Sequence, residues 1–198
     1  PGEDKTSFCV FDFCGNLEYF SQPLVPADPS GSTPLSEAIF KARLELIQTF
    51  DSIHALGDER AEVAGVLRDA VASMNESNFL VRPHLELVER FRDSDVWESV
   101  SVGELAALAD RVAGLPDQLD PEHEDAKRFD MLLLNAQLGV LRGEPFERER
   151  RKVMALAGAL EDQQSIPVIA EQLELIQDIQ APEWWVDVGY PMLEQVRK

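Results

Sequence analysis

The sequence predicts a mainly α protein, an irregular bundle of about seven to nine helices with one short N-terminal strand or extended arm. Three observations carry that expectation. Apolar residues recur at a helical period from Leu35 onward. Proline, glycine and capping residues punctuate the pattern between successive helical stretches. Hydrophobic residues make up 44% of 198 residues, enough to bury a sizeable core.

Thr6–Phe13 (TSFCVFDF) is aromatic and β-branched and reads as a strand. Gln22–Thr33 holds three prolines, a glycine and two serines, a linker composition. Residues 1–33 are therefore expected to be an extended junction leaving an upstream domain, and residues 34–198 a helical domain, with a subdivision near 114–121. Thr33-Pro34 offers a cap followed by a first-turn proline. The helix after it carries Ile39, Phe40, Leu44, Ile47 and Phe50 on one face and should end near Leu56-Gly57. Asp58 is the expected cap of a second helix running to Met74, with Val63, Val66, Leu67, Ala70, Val71 and Met74 as its stripe.

Arg82-Pro83 opens a third helix with Val88 and Phe91, and a short piece surrounds Val96-Trp97. Ser101 and Glu104 have the spacing of a capping box. The helix they open holds Leu105, Leu108 and Val112 and stops near Gly114-Leu115-Pro116. Asp120-Pro121 should start a long helix over 122–141, in which Asn135 and Gln137 read as polar residues that fix helix register. Pro145 restarts a helix to Leu160. One further helix is expected from Pro167 through Ile179, with Gln172 and Gln177 in the same registering role. After Ala181-Pro182 a last helix should carry Trp184, Trp185, Val188, Met192 and Val196.

Charge narrows the function. Asp and Glu number 37 against 18 Lys and Arg, net −19. Such a surface repels nucleic acid over most of its area. The excess is uneven: residues 1–126 carry 9 − 25 = −16 and residues 127–198 carry 9 − 12 = −3. One basic cluster stands out, Arg142, Arg148, Arg150, Arg151 and Lys152, and is the first place to look for contact with a DNA backbone. Trp184 and Trp185 are the candidate interface anchors, since aromatic residues concentrate binding energy.

No catalytic, cofactor-binding or metal-binding residue is expected. Phosphate-loop, dinucleotide and nucleophile-elbow motifs are missing. His54, His84 and His123 lack the spacing of a helical metal site. Asp117, Asp120, Glu122, Glu124 and Asp125 suggest Mg²⁺ at first sight, but caps and first-turn carboxylates explain them through the helix dipole. Cys9 and Cys14 form no disulfide framework. No apolar run reaches 18 residues, and no signal peptide is visible. The expected location is cytoplasmic, and both chain ends read as cuts through a longer protein.

Four stretches carry a family resemblance. AKRFDMLLLNAQLGVLRGE (126–144) and IPVIAEQLELIQDIQAPEWWVDVGYPMLEQVRK (166–198) are similar to consecutive segments of the C-terminal domain of type I restriction enzyme R subunits. CVFDFCGNLEYFSQ (9–22) resembles that family's junction leaving the helicase part, and NFLVRPHLELVERF (78–91) its middle helical segment. The resemblance implies a parent that is an ATP-dependent DNA translocase and endonuclease, using ATP and Mg²⁺ in domains outside this chain. It implies partners: the methyltransferase (M) and specificity (S) subunits, the parent's own motor domains, and DNA through the full complex. No catalytic residue of the family maps onto this sequence. A helical accessory module of another DNA translocase, bracing its motor domains in cis, is the alternative; an independent Mg²⁺ enzyme is a third.

Overall fold

The first helix, α1 (Leu35–Ile53), is the spine of one half of the protein. The computed structural model describes residues 33–119 and 123–198. The expected strand at Thr6–Phe13, the linker and the Asp120-Pro121 cap lie outside these residues. Among the described residues there are nine α-helices and no strand, which matches the mainly α expectation.

Leu46, Ile47 and Phe50 of α1 are at most 1% exposed. Burying each contributes roughly 1.5–3 kcal/mol, so this face anchors the half. Pro34 occupies the position before the helix rather than its first turn, and α1 stops at Ile53, earlier than expected. The reason is the turn: His54 (φ 52°) and Leu56 (φ 60°) both adopt the left-handed conformation. Leu56 packs partly into the core there, and its carbonyl accepts from Arg60 N at 2.9 Å. Asp58 is consequently a first-turn residue of α2 (Gly57–Ala72), not its cap. Val66 departs from the expected stripe and is 38% exposed.

Arg82–His84 forms a 3-10 turn that leads into α3 (Leu85–Phe91), and Asp95–Glu98 forms another. Trp97, in that second turn, donates its indole N–H to Phe91 O at 2.8 Å and meets the Phe91 ring edge-on. It thereby satisfies a carbonyl that the end of α3 leaves open. Helix α4 (Val102–Arg111) begins at Ser101 with the complete capping box.

Helix α5 (Glu124–Arg142) starts after His123, two residues later than expected. It serves two cores. Leu134 and Leu138 join the core of α1–α4, together with Tyr190, while Leu133 and Ala136 join a second core with Val153, Ala157, Ile176, Ile179, Trp185 and Leu193. Gly143 (φ 66°) ends α5 in the left-handed conformation. Phe146 turns back so closely that a Cβ on Gly139 would lie 3.0 Å from its own Cβ. Helix α6 (Glu147–Glu161) follows.

The single helix expected from Pro167 is two, α7 (Pro167–Glu171) and α8 (Leu173–Gln180), broken at Gln172 (φ −106°, ψ 11°). The two tryptophans are not on the last α-helix either. Pro182–Trp185 is a 3-10 turn, and α9 (Tyr190–Arg197) begins after Gly189. Trp185 repeats the device of Trp97, donating its indole N–H to Ile179 O at 2.7 Å, again six residues back. Each core is thus closed by a tryptophan from a 3-10 turn.

A candidate docking surface and the clasp beside it

Among the described residues the second core is not fully covered. An open groove of about 600 Å³ lies between α6, α7, α8 and α9. Val153 and Ala157 of α6, Ile176 and Ile179 of α8, and Phe129 of α5 line it from the core side. Its lips are Leu156 and Leu160 on α6, Val168 on α7 and Val196 on α9. Leu156, Leu160 and Val168 are 45%, 43% and 71% exposed. The polar lining consists of Gln172, Gln195 and Lys198, without a carboxylate. In a chain with 37 acidic residues, a lining without a carboxylate is a local departure from the overall charge.

On the other side of α9 sits a buried polar clasp. Asp130 of α5 accepts from Arg43 Nη2 at 2.5 Å and from Arg197 Nη1 at 2.8 Å. Arg197 also donates to both oxygens of Glu194, at 2.7 and 2.9 Å. Gln137, fully buried, donates Nε2 to Glu194 Oε2 at 2.9 Å, while its Oε1 has no partner among the described residues. Burial works against the Glu194 carboxylate, yet the hydrogen bonds from Arg197 and Gln137 and the charges of Arg197 and Lys198 outweigh it, holding its pKa below the ordinary value. Burial above all, then the Glu194 charge, raises the Tyr190 phenol. The clasp ties α1, α5 and α9 and so fixes the wall of the groove that α9 supplies. A cavity of about 310 Å³ adjoins it, lined by Arg43, Tyr190, Glu194 and Arg197 among others. With acids and bases matched inside it, this cluster holds helices together and presents no unbalanced charge for chemistry.

The sequence-expected site residues are dispersed. Trp185 is a core residue at 5% exposure, and Trp184 is half-buried with its ring centroid 4.9 Å away. Arg142 pairs with Glu45 of α1 at 2.9 Å. Arg150 pairs with Glu147 at 3.4 Å and lies over the Trp185 ring at 5.9 Å. Arg151 donates to Glu147 O at 3.3 Å. Arg148 and Lys152 are exposed and make no ion pair among the described residues. Asn135 is exposed, unlike Gln137, so only the latter fills the polar role expected of both. Gln172 and Gln177 are exposed as well, yet Gln177 does bridge α8 to α6, donating to Glu161 Oε1 at 2.8 Å beside half-buried Gln180, which donates to Glu161 Oε2 at 2.8 Å.

Asp117, Glu124 and Asp125 are exposed, while Asp120 and Glu122 lie outside the described residues. Among the described residues no group of three or more His, Cys, Asp or Glu side chains is arranged to hold a metal. None of the described helices is long and apolar enough to cross a membrane. No family model, no curated protein and no solved structure matches the chain.

Proposed function

We propose that the chain is a docking module: the helical C-terminal part of the R subunit of a type I restriction enzyme, binding the motor to its methyltransferase–specificity core. The observation that carries this reading is the apolar groove left open among the described residues, and where it lies. The two longest stretches with the family resemblance, 126–144 and 166–198, supply α5 and α7–α9, which contribute most of the second core and three walls of the groove, while α6 adds Val153, Ala157 and one lip. Exposed apolar surface of this kind marks sites of protein association. The chemistry of the parent, with its ATP and Mg²⁺, belongs in this reading to its nuclease and motor domains, and the complex works in the cytoplasm on DNA held elsewhere.

Co-elution from a sizing column tests the proposal. The chain should comigrate with the assembled M and S subunits. Comigration with the parent's motor domains alone would favour the cis-bracing alternative. A folded chain that binds neither would refute both.

A further inference from the structure

Four residues of α6 fall at i, i+4 spacing, so they form one ridge along the helix: Arg148, Lys152, Leu156 and Leu160. All four are exposed. The first two are cationic and lack ion pairs among the described residues; the last two form the lip of the groove. The ridge therefore changes character along its length, from positive to apolar. Glu149 lies beside the cationic end, but residues 147–152 still carry four cations against two carboxylates, net +2. This in a chain of net −19 is a local inversion of sign.

We propose that the groove and this ridge together seat an amphipathic helix of the methyltransferase–specificity core, with large apolar side chains over Leu156, Leu160 and Val168 and carboxylates over Arg148 and Lys152. The inference rests on the docking role proposed above and adds to it the surface and the chemistry of the occupant. A helix fits because the groove is a cleft between helices open along one side, the setting in which an apolar helical face is bound through i, i+3, i+4 and i+7 anchors. Charge selects the occupant. An acidic flank on a partner helix gains the two cations, and the carboxylate-free lining imposes no repulsion on it.

The test is the affinity of the chain for the M–S core, with three variants. Leu156→Glu/Leu160→Glu places carboxylates on the exposed lip, where the fold tolerates them. Arg148→Glu/Lys152→Glu reverses the cationic end. Val102→Glu, at a 65% exposed site on α4, is the control. The lip variant should lose affinity by about tenfold or more, as expected for apolar anchors. The reversed variant should lose affinity most at low salt, where exposed charges are least screened. Val102→Glu should bind like the parent sequence. If the parent chain binds and both ridge variants bind equally well, the inference fails and the docking role stands. If the parent chain does not bind the core at all, the docking role itself fails. A parent chain that dimerises, with the dimer dissolved by the lip variant, would name a second copy as occupant and overturn the proposal.

Discussion

Asp130→Ala is the most informative perturbation of the fold. Asp130 is 8% exposed and joins two guanidiniums from elements 87 and 67 residues away in sequence. Its removal takes two charge-assisted hydrogen bonds from the clasp and leaves two positive side chains, each about one-fifth exposed, facing each other without their shared carboxylate. Breaking a buried pair costs 3–5 kcal/mol; the partial access of both arginines to water places this case at about 3 kcal/mol. With a urea slope near 2 kcal/mol/M, the midpoint should fall by about 1.5 M. Equilibrium urea denaturation followed by far-UV circular dichroism measures it. A loss below about 1 kcal/mol, the range of exposed ion pairs, would refute the view that the clasp holds α9 to α1 and α5.

Further outcomes follow from the same structure. The pKa of Glu194 is lowered on folding, so its stabilisation is present above the ordinary carboxylate range and is lost as pH falls through the lowered value; acid titration of stability should show this loss, and Glu194→Gln should flatten it. Leu46→Ala, at a site with 0% exposure, should cost 2–5 kcal/mol by roughly the measure of other core truncations, read as the shift in urea midpoint. Two substitutions in the left-handed region should move thermal stability in opposite directions: Gly143→Ala should destabilise by about 1 kcal/mol, and His54→Gly, at an exposed site with φ 52°, should stabilise by up to about 1 kcal/mol.

Local patterns were the most legible part of this fold. The Ser101 capping box and the stripes of α1 and α4 depend on residues a few positions apart, and the structure places them as their spacing predicts. Asn135 and Gln137 show where such reasoning needs care. Two residues apart on a helix are about 200° apart in direction, so they do not share a buried face. The break at Gln172 was hidden because the apolar period runs on through it, from Ile169 to Ile176. The tryptophan pair departs from the expected last helix for a related reason: Pro182 starts a 3-10 turn, and the α-helix waits for Gly189 and Pro191.

The clasp was illegible in sequence. Arg43, Asp130, Gln137 and Arg197 come from three helices, and no local signal connects them. The basic cluster looked like one patch because its members are neighbours in sequence. In three dimensions Arg142 reaches α1, Arg150 covers Trp185 and Arg151 donates to a backbone carbonyl, which leaves Arg148 and Lys152 exposed and without ion-pair partners among the described residues. The groove emerges only when α6, α7, α8 and α9 are packed, since each of its lips is an unremarkable leucine or valine by itself.

Hydrogen exchange of the chain alone and in complex with the M–S core tests the docking claim most directly. Backbone amides of the second half of α6 and of α7, residues 153–171, should become protected in the complex, while α3 and α4 exchange at unchanged rates. Protection confined to α1–α4, or no protection at saturating core, would contradict it.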